Sequence, residues 1–333
     1  LVEKPKLKEV PVREAVGMIV PHDLTQILPG QFKGRLLKKG HVITEADIEP
    51  LLSIGKEHIY VLDIPPGFLH EDDAGIRIAR AIAGPGLTLT EPYEGKVSLK
   101  ADRLGLAKVH EQAVHALNEL EGIALSTIYT DQVVQPGQTV AATRIIPLIM
   151  EEERIAELEA RAAAFPQPIV QVKPFLPKTV GLVTTGGEVY TGRIADKFGP
   201  VIRSKVEALG STVVEQRFAP DDKQVIEKEI KYFLSQGVDL VLVTGGMSVD
   251  PDDRTPGAIA GAGARVVRYG TPMLPGSMLL VAYADDTPVL GLPGAVMHER
   301  FTSFDVFLPR ILAGERIEEQ DMTRLGYGGL RTC

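Results

Sequence analysis

The chain has 333 residues, 44% hydrophobic and 24% charged, enough for two or three folded cores, and no apolar run long enough to span a bilayer. Its single cysteine, Cys333, excludes a disulfide framework, a thiolate zinc site and an iron–sulfur cluster built from this chain alone. A formal net charge of −8 argues against broad binding to nucleic acid or to an anionic membrane, but not against one small anionic ligand. A cytoplasmic protein is expected.

The first 165 residues read as β-rich. Short β-type runs flank Gly-centred turns in 34–43, 93–99 and 135–140. Thr44 caps a helix over 44–52 that Gly55 stops. One β/α segment is expected over 1–65 and a second β-rich region with helices over 66–165, neither with a ligand motif. His110 and His115 are five apart with Glu111 between them, which suits a helix surface rather than a metal pair. A helix follows over 151–164, with Glu157 and Arg161 in the favourable i,i+4 order. Pro166, Pro168, Pro174 and Pro177 then mark a linker over 166–178.

Strands and helices alternate from residue 179 to about 320, before a tail over 321–333. Strands are predicted over 179–184, 212–218, 239–244, 277–283 and 288–292. Asp221 or Asp222 caps a helix that Gly237 closes; Thr255 and Pro256 open another, and a last one carries Phe301, Phe304, Phe307 and Leu308. Gly199 and Pro200 interrupt the helix between the first two strands, so it either starts at Pro200 or kinks there.

Three of these strands end in glycine turns: Thr185-Gly186-Gly187, Thr244-Gly245-Gly246 leading to Ser248, and Gly291 to Gly294 through Pro293. In an open α/β sheet such turns line the ligand crevice, and glycines leave backbone N–H groups free to face anionic oxygens. Asp250, Asp252 and Asp253 follow the second turn, and carboxylates beside a phosphate cradle are the donor set of a Mg²⁺ site. Arg193, Lys197, Arg203 and Arg254 offer a local basic rim. His298, Glu299 and Arg300 read as a solvated helix start. Neither of the first two turns reads Gly-x-Gly-x-x-Gly, which disfavours a dinucleotide-binding dehydrogenase.

These motifs, with Gly192 to Asp196 and Thr271 to Gly276, stand in the order and spacing of a known domain. The span 179–314 resembles the molybdopterin-binding domain shared by the MoeA/gephyrin molybdotransferases, the MogA/MoaB-type adenylyltransferases and the CinA-like proteins. Residues 40–62 are similar to a stretch that precedes the domain in MoeA-type proteins. The resemblance implies a three-layer α/β/α domain with a mostly parallel sheet, preceded by β-rich accessory domains. It implies a role in molybdenum-cofactor biosynthesis: Mg²⁺-dependent insertion of molybdate into molybdopterin or its adenylylated form.

By the same resemblance Asp253 is a metal ligand with Asp252 beside it, and Asp253, Glu188 and Asp196 are the catalytic acidic positions. Thr185, Gly186, Gly187, Thr244, Gly245, Gly246, Ser248, Pro275, Gly276, Pro293 and Gly294 line the cofactor site. A homo-oligomer and a recipient molybdoenzyme are the implied protein partners. Gly187, Phe198, Asp250 and Ser277 stand where the family usually has Asp or Asn, Asn, Gly and Lys, and no Ser-Ala-Met-Asp-Gly motif is present. Those departures keep two alternatives open: a non-catalytic cofactor carrier or sensor, and a CinA-like nucleotide pyrophosphatase.

Overall fold

The computed structural model describes residues 7–28, 32–62, 64–165, 168–248 and 254–331. The chain divides into two units: Leu1–Arg103 with Ala107–Val172, and Leu104–Leu106 with Lys173–Cys333.

In the first unit β1 (Leu7–Pro11), β2 (Leu24–Leu28) and β3 (Phe32–Leu37) precede α1 (Glu45–Ser53) and β4 (His58–Leu62). Thr44 opens α1 as expected, through its N–H and Oγ1 donating to Asp47 Oδ2 at 2.8 and 2.7 Å. Strand β1 pairs antiparallel with β4, and Val10, Ile43, Leu51, Ile59 and Val61 share one small core. Next come β5 (Phe68–His70), α2 (Glu71–Ile82), β6 (Leu87–Leu89), β7 (Val97–Ala101), β8 (Gly105–Val109) and α3 (Glu111–Asn118). They are followed by β9 (Ile123–Thr127), β10 (Gln132–Val134), β11 (Thr139–Ile145), β12 (Ile149–Glu151) and α4 (Glu152–Ala163). A four-stranded sheet in the order β6-β7-β11-β9 backs onto α2 and α4 through Ile78, Ile82, Leu99, Leu125, Ile155 and Leu158. Glu157 and Arg161 pair at 2.6 Å on α4. The proline-rich stretch is not all linker: Val170–Pro174 forms strand β13, and the boundary between the units falls inside it.

The second unit is built on β14 (Thr179–Thr185), α5 (Gly187–Tyr190), α6 (Phe198–Glu207), β15 (Thr212–Ala219), α7 (Lys223–Ser235) and β16 (Leu240–Thr244). It continues with α8 (Thr255–Gly261), β17 (Arg265–Tyr269), β18 (Leu280–Ala284), β19 (Thr287–Leu292), α9 (Ser303–Leu312) and α10 (Glu319–Arg324). Its six-stranded sheet runs β15-β14-β16-β19-β18-β17. The first four strands are parallel, while β18 and β17 are antiparallel to their neighbours. Helices α6, α9 and α10 cover one face through Ile202, Val206, Phe304, Phe307 and Met322. Helices α7 and α8 cover the other through Ile226, Ile230, Phe233 and Ile259, which gives the three expected layers.

Local chemistry explains the element starts. Asp222 is the α7 cap, its carboxylate accepting from the N–H groups of Gln224 and Val225. Helix α6 begins at Phe198, so Pro200 lies in its first turn, where a missing N–H costs nothing. Thr302 and Asp305 box the start of α9, which leaves Phe301 outside the helix and 45% exposed rather than on its core face. Strand β18 starts at Leu280, later than the sequence pattern suggests, because Ser277 is held in a turn by Thr271 N–H. In β14 a Cβ at Gly181 would stand 2.4 Å from Phe233 Cγ, so glycine lets that ring lie on the sheet. Among the described residues no helix is long and apolar enough to cross a membrane.

Candidate functional site

The register of the parallel strands sets Thr184, Thr244 and Leu292 side by side. All three glycine turns therefore leave the sheet at one edge, where α/β sheets bind ligands. The first two turns touch. A Cβ on Gly245 would come within 2.5 Å of both Thr185 O and Thr185 Oγ1, and Gly245 holds φ at +85°. Only glycine fits there.

The two turns use their N–H groups differently. In the first, Gly186 N–H donates to Ala219 O at 3.1 Å and Gly187 N–H to Asp221 Oδ2 at 2.9 Å. The expected free donors of that turn are thus already taken, one of them by a carboxylate. In the second, Thr255 Oγ1 donates to Gly245 O at 2.8 Å and Thr255 N–H to Gly246 O at 3.2 Å. Because a trans peptide points its N–H opposite its C=O, the N–H groups of Gly246 and Met247 are directed away from Thr255. Neither has an acceptor among the described residues.

Two hydroxyls share this edge. Thr185 Oγ1 and Thr244 Oγ1 are buried and have no hydrogen-bond partner among the described residues. A buried polar atom left without a partner costs about 1–3 kcal/mol, so a pair of them at a strand edge calls for an explanation. Gly245, Gly246, Met247, Ser248, Met278, Leu292 and Gly294 line an open cavity of about 360 Å³ here. Met247 is seated on Gly291, where a Cβ would stand 2.6 Å from its sulfur, and Tyr269 OH donates to Met247 O at 2.5 Å.

The remaining sequence candidates are spread around this edge. Glu188 lies in α5 and is exposed. Asp196 caps α6: its carboxylate accepts from Phe198 N–H at 2.9 Å, from Gly199 N–H at 3.1 Å and from Gln216 Nε2 at 2.6 Å. Gly276 is pinned to the start of α9, its carbonyl accepting from Ser303 Oγ at 2.5 Å. Of the expected lining residues, Gly245, Gly246, Ser248 and Gly294 line the cavity, whereas Thr185, Gly186, Gly187, Thr244, Pro275, Gly276 and Pro293 do not. Asp252 and Asp253, the expected metal ligands, lie outside the described residues, as does Asp250. Among the described residues no group of three or more His, Cys, Asp or Glu side chains could hold a metal ion.

The basic rim is partly realised. Arg193, Lys197 and Arg254 are exposed and have no side-chain partner among the described residues. Arg203 instead donates to Val213 O at 3.0 Å, at the opposite end of the sheet. Sequence reasoning missed Asp221, Thr255 and Met278 as site residues. Thr255 and Asp221 carry only cap signals in the sequence, and Met278 carries none.

Residues 181–313 match the family model described as the probable molybdopterin binding domain, and residues 9–63 match a domain of unknown function, DUF8806. A molybdopterin molybdenumtransferase of Synechococcus elongatus is 29% identical over 178 residues, which is 50% of this chain and 44% of that protein. A CinA-like protein of Mycobacterium sp. is 35% identical over 80 residues, 24% of this chain and 19% of that protein. The chain thus matches about a fifth of the length of the CinA-like relatives and under half of the molybdenumtransferase. Among solved structures, MoaB of Thermus thermophilus is 24% identical with a TM-score of 0.35, covering 41% of this chain and 98% of that one. The MoeA protein of Pyrococcus horikoshii is 15% identical with a TM-score of 0.35, covering 93% of this chain and 75% of that one.

Proposed function

We propose that this chain, which carries a domain of the molybdopterin-binding family over residues 181–313, binds molybdopterin or its adenylylated form and takes part in molybdenum-cofactor assembly. The observation that carries the reading is the second glycine turn. Among the described residues, the N–H groups of Gly246 and Met247 have no acceptor, and the buried hydroxyls of Thr185 and Thr244 at the same sheet edge have no partner. That is a donor set for phosphate oxygens, with Ser248, which lines the cavity, as a further donor. Met278 supplies soft apolar surface for a ring, while Met247 is packed in the core beneath. The cavity, at about 360 Å³, is of small-molecule size.

The finer reading is insertion of molybdate into the adenylylated pterin. In it the protein acts by holding the phosphate and orienting the ligand, two established sources of rate. Asp253, with Asp252 beside it, is the proposed holder of Mg²⁺ against the phosphates; the described residues do not form a cation site by themselves. Glu188 is the proposed acidic partner at the edge. The carrier or sensor reading draws support from Asp196, whose carboxylate is engaged as the α6 cap.

The test is binding of molybdopterin and of its adenylylated form by the full chain with Mg²⁺ and molybdate, followed by AMP release. AMP release that Asp253→Ala abolishes supports the transferase. Binding without AMP release supports a carrier. Binding of neither pterin sinks both and leaves the pyrophosphatase reading, checked with soluble dinucleotides.

A further inference from the structure

A cavity of about 430 Å³ lies in the first unit and plays no part in the site above. Glu71, the first residue of α2, lines it and is 4% exposed. Neither carboxylate oxygen accepts a hydrogen bond among the described residues. Arg144 Nη2 is the nearest cation, at 3.7 Å, beyond hydrogen-bond range. Carboxylates in a first helical turn are common, because the helix dipole favours them, but they are ordinarily solvated.

Two glycines from elsewhere in the chain make the room. A Cβ on Gly40 would stand 2.5 Å from Glu71 Oε1, and one on Gly95 2.9 Å from Oε2. Burial pushes the Glu71 carboxyl above its ordinary range. A buried acid with no donors is a stability cost, and such costs gather at binding sites.

The rest of the cavity is complementary to an anion. Asp23 is already satisfied by Arg35 Nη1 at 3.1 Å and Lys39 N–H at 2.8 Å, and Glu94, which also lines the cavity, pairs with Lys38 Nζ at 3.7 Å, whereas the Lys39 ammonium and Arg144 Nη1 have no acceptor among the described residues. Ile146, Pro147 and Leu148 form an apolar wall, with Ile146 64% exposed. A simple anion would meet the Glu71 charge and a simple cation would meet Lys39 and Arg144. The volume also exceeds what one ion needs.

We propose that this cavity binds an anionic heterocycle with a 2-amino-4-oxopyrimidine edge, the chemistry shared by guanine nucleotides and pterin phosphates. The two N–H donors of that edge match the two free oxygens of Glu71. The flat ring lies on the wall formed by Ile146 to Leu148, and the phosphate is drawn to Lys39 and Arg144. This site is independent of the second glycine turn.

The experiment is calorimetric titration of the full chain with GMP, IMP, AMP, inorganic phosphate and a pterin phosphate. GMP or the pterin phosphate should bind, IMP, which lacks the 2-amino group, at least tenfold more weakly, and inorganic phosphate not measurably. Which of the first two binds more tightly identifies the source. Glu71→Gln, which replaces one acceptor by a donor, should weaken binding at least tenfold, and Lys39→Ala, on an exposed side chain, severalfold. Thr244→Val should leave the GMP affinity unchanged while it weakens pterin binding at the turn in the other unit, which separates the two sites. Equal affinity for GMP, IMP and AMP, unchanged affinity in Glu71→Gln, or no binding at millimolar ligand overturns the proposal. The GMP-to-IMP ratio of the unaltered protein decides the matter even if Glu71→Gln folds poorly.

Discussion

Asp221 Oδ2 accepts the N–H of Gly187 at 2.9 Å, so the first glycine turn carries its own anion. A phosphate reaching that turn must compete with a carboxylate, whereas at the second turn it competes with nothing among the described residues. Asp221→Ala frees the donor and removes a like charge. The expected result is affinity for molybdopterin raised by about three- to tenfold, read by equilibrium dialysis. A fall in affinity would mean that Asp221 shapes the turn rather than guards it.

Thr244 is fully buried at the end of β16, and its hydroxyl has no partner among the described residues. Thr244→Val keeps the shape and suits a central strand. Stability against urea should be unchanged or raised by about 1 kcal/mol, since an unsatisfied buried group is removed. Pterin affinity should fall severalfold at the same time. Loss of stability together with affinity would show that the hydroxyl serves packing alone.

Asp196 tests the opposite case. Its carboxylate holds the first N–H groups of α6 and the Gln216 amide, so Asp196→Ala should cost about 1 kcal/mol of stability, the ordinary worth of a cap. Any loss of activity should track that unfolding, and activity lost at full stability would reassign Asp196 to the chemistry.

For Glu71 the sign of the pH effect follows from its raised folded-state pKa. The folded chain binds that proton more tightly than the unfolded chain does, so ionised Glu71 penalises folding above the raised value. The penalty vanishes as pH falls below the ordinary value of 4.5. Glu71→Gln should therefore be more stable than the parent at pH 7, with the gap closing as the pH is lowered towards 4. Melting temperatures of the two proteins across that range provide the check, and a gap that widens in acid would contradict the assignment.

Much of the second unit is legible in the sequence because its signals are local. The buried parallel strands β14, β16 and β19 read as apolar runs, and Asp222, Gly210 and Gly237 mark helix ends by their own chemistry. What the sequence hides is long-range pairing. Asp221 stands beside a cap that is easily read, yet its partner Gly187 lies 34 residues earlier and meets it only because β14 pairs with β15. Strand β17 escapes notice because Arg265 to Tyr269, at the sheet edge, has no fully buried residue to give it an apolar run. Glu71 reads as one of three acids opening a helix, and only Gly40 and Gly95, from distant turns, turn it into a buried floor.

The two hydrogen bonds from Thr255 to the carbonyls of Gly245 and Gly246 also bear on kinetics. They aim peptide dipoles, whose pull fades within a few ångströms, at an anion, while at a distance the exposed Arg193, Lys197 and Arg254 act against a net charge of −8. Encounter and retention then answer to different forces. Added salt screens these distant charges of both signs and so acts on the association rate of a phosphate ligand, while the dwell time, set by contacts inside the cavity, should hardly change.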